Sequence, residues 1–247
     1  MKVISLVQAR MGSTRFPGKV LQPILDVTLI EMLLARLSKS KELDDIVVAT
    51  SVDPQNDELQ AIVEGLGHRC TRGSEENVLE RFYESAKLIG ADVLVRITAD
   101  CPLVDPELVD QCVQAYKDTN VDYFSNVDPA SYPDGLDIEV ISFSAIEIAN
   151  IEATSNSDRE HVTSYIRNSD KFLRGSISHT QDLSDLSWTV DEPEDLVVVN
   201  NIFKHFSPNI YFNWLEVLEL QRSNKELFQE NQHFKNNEGS IMNKGQK

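Results

Sequence analysis

The sequence predicts an α/β protein with three layers around a mainly parallel sheet, and three observations predict it. Short, almost wholly apolar runs recur at residues 3–7, 45–51 and 92–98, as expected of strands buried on both faces. Segments with apolar residues at helical spacing lie between them. Strand and helix alternate strictly up to about residue 120, which implies parallel strands joined by right-handed crossovers.

In order, residues 27–37 read as a helix, because Ile30, Leu33, Leu34 and Leu37 share one face. The run 45–51 is the second strand. Residues 56–65 are helical, with Gly65 and Gly67 as stop signals. A short strand over 69–73 leads to Ser74, the expected cap of a helix over 75–88 whose inner face carries Val78, Phe82 and Ala86. The strand 92–98 comes next. Asp105 and Pro106 then have the character of an N-cap and first helical residue. Regularity weakens after 120. Strands are expected at 122–125, 136–142, 173–178 and 186–190, and helices at 145–150, 158–168, 193–205 and 214–222. One unit over 1–223 results, with an irregular subregion at about 121–180. Residues 224–247 are polar and rich in Asn, Gln and Lys, and the last dozen are expected to be disordered.

Composition narrows the function. The 247-residue chain is 41% hydrophobic, enough for a sizeable core. A net charge of −17 opposes nucleic-acid binding and attraction to anionic lipid. No run has the length of a membrane span. Cys70, Cys101 and Cys112 show neither zinc spacing nor a disulfide framework, so reduced thiols in the cytoplasm are expected. Cys101 reads as a packing residue.

Against this acidic background the amino terminus stands out. Lys2, Arg10, Arg15 and Lys19 precede the first acidic residue, Asp26. A local cationic site in an acidic chain points to a specific anionic ligand. Gly12 and Gly18 allow close approach of backbone N–H groups to an anion. Arg10 and Arg15 can donate to phosphate in forks, and Lys19 adds a compact charge. The spacing is not a P-loop: five residues separate the glycines, and Val20 comes after Lys19 where Ser or Thr would hold magnesium. On the residues alone, a phosphate loop and a polar turn both stand. Asp100 ends the strand 92–98, where ligands of open α/β sheets collect. It is open to reading as a metal ligand or as a loop Asp bonding its own backbone. Asp191, three residues before Glu194 with Pro193 between, has the form of a capping box.

The stretch QARMGSTRFPGKVL resembles the amino-terminal signature of the cytidylyltransferases that activate acidic sugars, including CMP-Kdo synthetase and acylneuraminate cytidylyltransferase. The spore-coat polysaccharide branch is the nearest in pattern. ADCPLVDP and DEPEDL continue the resemblance in the right order, over roughly residues 2–205. It implies a Rossmann-like nucleotidyltransferase fold, a homodimer formed through the segment after 120, and magnesium as cofactor. The partners would be CTP and a small sugar acceptor, and the reaction CMP transfer with release of pyrophosphate. Gln8, Ala9, Arg10, Gly12, Ser13, Arg15 and Lys19 would bind the nucleotide. Arg72 and Ser74 are assigned there too, although the order of residues around them departs from the family pattern. Arg10, Arg15, Lys19 and Asp100 would be catalytic, and Asp100 with Asp191 would hold the metal. YPDGLDIEV and SDREHVTSYIR suggest Asp134, Asp137, Glu139, Arg159 and His161 as acceptor-binding residues. The alternatives are a sugar-1-phosphate nucleotidyltransferase, a glycosyltransferase of related fold, and a non-catalytic nucleotide-binding protein. The strand end Thr98-Ala99-Asp100 lacks the first Asp of a glycosyltransferase Asp-x-Asp.

Overall fold

The computed structural model describes residues 1–231. The first strand, β1 (Val3–Gln8), is succeeded by a small ribbon of β2 (Pro23–Ile24) and β3 (Val27–Thr28). Then come α1 (Leu29–Leu37), β4 (Asp45–Ser51), α2 (Asp57–Gly65), β5 (Arg69–Gly73), α3 (Val78–Ile89), β6 (Val93–Thr98) and α4 (Pro106–Lys117). The second half holds β7 (Tyr123–Ser125), β8 (Glu139–Ser142), α5 (Phe143–Glu152), α6 (Asn156–Glu160), α7 (Ser164–Asn168) and β9 (Arg174–Ser176). Two helices, α8 (Pro193–Phe206) and α9 (Trp214–Ser223), close the fold. The strands form a seven-stranded sheet in the order β5-β4-β1-β6-β8-β7-β9. The β5-β4-β1-β6 half is parallel, while β8 runs antiparallel to both neighbours. Among the described residues, no helix is long and apolar enough to cross a membrane.

Alternation along β1 explains the three layers. Val3 and Val7 pack on one face among residues of α1, α2, α4, α8 and α9. Ile4 and Leu6 pack on the other, with residues of α3, α5 and α7. Each fully buried side chain of this kind contributes roughly 1.5–3 kcal/mol. Ser5 is buried between them.

Local chemistry moved several boundaries. Helix α1 starts at Leu29 because Thr28 and Glu31 form a capping box. Helix α3 starts at Val78, three residues later than expected, because Asn77 caps it and accepts from Glu80 N at 3.2 Å. Ser74 instead closes the preceding turn, accepting from Asn77 N at 2.9 Å. The helix expected over 158–168 is broken in two at Val162, which is buried with φ at 53°. That conformation is strained for a β-branched residue, and burial of the side chain offsets it. No strand forms over 186–190. The segment pairs with loops: Asp134 N donates to Leu186 O at 2.9 Å, Trp188 N to Asp134 O at 2.8 Å, and Val190 N to Asp100 O at 2.8 Å. Nor does the folded unit stop at 223. A short 3-10 helix, Lys225–Phe228, extends it, and Phe228 is buried against the same core as α8 and α9. The expectation of disorder at the extreme terminus lies outside the described residues.

Candidate active site

The site forms where the sheet changes its order of winding. From β1 the chain crosses to β4 and β5 on one side, then returns to β6 on the other. The loops after β1 and β6 leave neighbouring strands at this point, beyond the carboxyl ends where ligands of open α/β sheets collect. Gln8 pairs with Thr98 across that edge, so the loops leaving both strands meet there. Met11 N donates to Asn56 Oδ1 at 2.8 Å, and Gly18 N to Met11 O at 2.9 Å, folding the first loop back on itself. Gly18 has φ at 71°, a conformation glycine adopts at no steric cost. It turns the chain into the 3-10 helix Lys19–Leu21.

Lys19 Nζ lies 2.9 Å from Asp100 Oδ2, 2.8 Å from Asp191 Oδ1 and 2.7 Å from Val190 O. Arg15 Nη2 reaches the same Asp191 oxygen at 2.9 Å. Two carboxylates distant in sequence thus converge on one ammonium. Burial opposes charge on Lys19, yet Asp100 and Asp191 outweigh it and raise its pKa. Burial also works against the Asp100 carboxylate. Lys19 and the Thr98 hydroxyl overcome it and hold Asp100 below the usual carboxylate range.

The two carboxyl groups remain 26% and 28% exposed, and they open into a cavity of about 220 Å³. Gln8, Arg10, Ser13, Arg15 and Lys19 line it as well. Such a donor set suits magnesium, which takes one or two carboxylates and keeps waters for substrate phosphates. Among the described residues no larger group of metal-ligating side chains gathers. The capping of α8 does not use the Asp191 carboxylate. Asp195, not Asp191, supplies the cap: its Oδ2 accepts from Asp191 N at 2.9 Å and Glu192 N at 2.8 Å.

A second cavity of about 580 Å³ shares Gln8 and Arg10 with the first. It is lined further by Glu75, Arg96, Arg159 and His161. Arg159 and His161, expected to bind the acceptor, line this second cavity. Glu139 does not. It is buried, accepts from Tyr123 Oη at 2.6 Å and pairs with Arg96, so it serves the sheet. Asp134 and Asp137 line neither cavity. Burial and Asp100 push Asp134 up to about 6. Asp137, whose surface is open to solvent, is pushed up to about 7 by desolvation and by Asp134. Water contact moderates that shift.

Arg72 is withdrawn from the nucleotide. Its guanidinium donates to Ser51 O at 2.8 Å, Asp57 at 2.6 Å, Gln60 at 2.8 Å and Asp53 O at 2.7 Å, and it lines neither cavity. Ser74 is occupied in the turn before α3. Gly12 lies beside the site, where an added Cβ would stand 3.1 Å from Gln55 Nε2. Cys101 is a buried thiol whose pKa burial raises, in keeping with a packing role. Sequence reasoning missed Glu75, which pairs with Arg10 at 2.9 Å. It also missed Thr98 and Arg96, whose only signal was their place on the strand entering the site.

Comparison with known proteins agrees with this geometry. A spore coat polysaccharide biosynthesis protein of Bacillus subtilis is 41% identical over 67% of this chain and 70% of its own. The structure of a cytidylyltransferase from Leptospira borgpetersenii superposes with a TM-score of 0.89 at 31% identity, covering 93% of this chain and 97% of the other. The structure of a CMP:2-keto-3-deoxy-manno-octonic acid synthetase complexed with CTP shares the fold, with a TM-score of 0.65 at 17% identity over 83% of this chain and all of the other (100%). A family model described as cytidylyltransferase matches residues 4–234. With a CTP-dependent nucleotidyltransferase as its enzyme class, the chain belongs to the cytidylyltransferase family.

Proposed function

We propose that the protein transfers CMP from CTP to an acidic sugar or related acceptor, with release of pyrophosphate, in the making of a surface polysaccharide. The observation that carries this reading is the pair of cavities meeting at Gln8 and Arg10. One has the charge to hold a triphosphate. The other, lined by Glu75, Glu76 and Glu160 as well as Arg96, Arg159 and His161, has room for an acceptor and offers Arg159 to its acidic group. Their common wall is where an acceptor hydroxyl would meet the α-phosphorus.

The acceptor oxygen attacks that phosphorus in line, the bond to the bridging oxygen breaks, and the hydroxyl proton is released. Phosphoryl transfer of this kind depends on positioning and charge stabilisation. Arg10 and Arg15 orient the triphosphate, and Lys19 offsets the charge of Asp100 and Asp191 and holds the two carboxylates together. Those two carboxylates would hold magnesium, which when bound would supply positive charge to the phosphates and the leaving pyrophosphate. Arg159 faces the acceptor's acidic group. The three free thiols suit work in a reducing cytoplasm. A second copy would dock through the 121–180 segment, where Ile148 and Ile151 of α5 are exposed.

A pyrophosphate-release screen tests the reading, offering four nucleoside triphosphates against acidic sugars and phosphosugars with and without magnesium. CTP with an acidic sugar should give magnesium-dependent release, and Asp100→Asn should slow it by about 100-fold or more without unfolding the chain. No release with any acceptor, or near-normal rates in that variant, defeats it.

A further inference from the structure

Two buried guanidinium groups in this molecule are treated very differently. Arg36 spends its N–H groups on the carbonyls of Leu103, Val104, Ile210 and Phe212. Arg81, in the first turn of α3, is 1% exposed. Its Nη1 donates to Ser74 O at 2.5 Å. Its Nε and Nη2 are buried with no hydrogen-bond partner among the described residues. The chain makes room for it: a Cβ on Gly73 would come within 2.9 Å of Arg81 Cγ.

Glu75 is the matching half. Its Oε1 accepts from Arg10 Nη1 at 2.9 Å, while its Oε2 is buried and unpartnered among the described residues. Burial pushes the Arg81 pKa down to about 10, with Glu75 favouring the cation and Arg10 opposing it. The Glu75 carboxylate thus acts on both guanidinium groups and hydrogen-bonds only Arg10. A buried polar group left unpaired is destabilising. A Glu75–Arg81 pair would satisfy several at once, in the geometry guanidinium and carboxylate favour. While Arg10 holds Oε1, no such pair is formed among the described residues.

We propose that Arg81 is a positioning residue that receives the Glu75 carboxylate when a bound triphosphate draws Arg10 away. The proposal rests on the reading of the small cavity as a nucleotide site. Without the handover, an unpaired carboxylate would be left beside the incoming phosphates. With it, Arg10 is released at little cost, and Glu75 is neutralised where it would otherwise repel the ligand.

Calorimetric titration of magnesium and CTP into the full chain tests this with Arg81→Lys, Glu75→Gln, Arg10→Ala and the Arg81→Lys/Glu75→Gln double variant. Arg81→Lys should weaken CTP binding about tenfold, within the range of coupling between contacting residues. Adding Glu75→Gln should restore it to within about twofold of Glu75→Gln alone, because no carboxylate then needs a second partner. A residue that merely supports the fold would show no such rescue. Additive effects in the double variant, or unchanged affinity in Arg81→Lys, overturn the handover. If Arg81→Lys fails to fold, Glu75→Gln decides: CTP binding at least as tight as that of the unsubstituted chain supports the proposal. Weakening as large as in Arg10→Ala overturns it. Absence of CTP binding by the unsubstituted chain overturns the nucleotide reading and the handover together, whereas binding with additive substitutions overturns the handover alone.

Discussion

Arg36 shows how much one side chain can hold. It projects from α1, and besides its four carbonyl partners it stacks 4.5 Å from the Phe212 ring centroid. It thereby joins α1 to the loop after β6 and to the segment before α9. Burial pushes its pKa down to about 10, so it stays cationic at neutral pH. Arg36→Met should lower stability by about 3–5 kcal/mol, since it leaves buried carbonyls without donors. The fall in urea midpoint would measure it. Nothing in the apolar spacing of residues 30–37 distinguishes Arg36 from a solvated helix residue. The charged residues of the site were far more legible. Arg10, Arg15, Lys19, Asp100 and Asp191 stand in long, unusual strings of residue types. Glu75 stands beside Glu76 at the approach to a helix, where acidic residues are ordinary, and its link to Arg10 exists only in three dimensions.

At the level of elements, the segment 186–191 has most influence on the site, because it brings Asp191 to Lys19. It is clamped between the Asp100 loop and the turn at Gly135. Gly135 has φ at 104°, and a Cβ there would come within 2.7 Å of Trp188 C and 2.8 Å of Thr189 N. Both the conformation and the contact exclude a side chain. Gly135→Ala should cost about 2 kcal/mol or more and displace the segment. Urea unfolding should show the first effect and a loss of pyrophosphate release the second. Pro133-Asp134-Gly135 has the residue types of a turn, but nothing in it names the partner it packs against. Strands and helices of the first half were readable because their periodicity is local. The segment 186–190 looked like a strand because it is apolar and extended. Its backbone bonds go to loops, and no local pattern encodes that.

For the whole molecule, acidity is the governing property. Its carboxylates pull stability in opposite directions with pH. Asp100 and Glu139 are held low, the first by Lys19 and the second by Arg96, in both cases against the opposing effect of burial. Their contribution is present above the ordinary carboxylate value near ~4 and is lost on acidification below it. Asp134 is raised, to about 6. The folded chain binds that proton more tightly than the unfolded chain, so its contribution is full below ~4 and fades as pH rises through 6. Asp134→Asn should therefore stabilise the protein at about pH 8 and leave it nearly unchanged at about pH 4, measured by urea unfolding at both. The parallel half of the sheet was implied by strand and helix alternation. The mixed half was not, because β7, β8 and β9 are short and interrupted.

The position of Phe228 and Asn231 carries a consequence for the far end of the chain. Asp195 uses one oxygen for the backbone of Asp191 and Glu192, and the other accepts from Asn231 Nδ2 at 2.9 Å. The last described turn is thus keyed, through a single carboxylate, to the main chain of a residue that grips Lys19. A disturbance at the carboxy-terminal margin has a short mechanical route to the reaction centre, although sequence distance gives no hint of it.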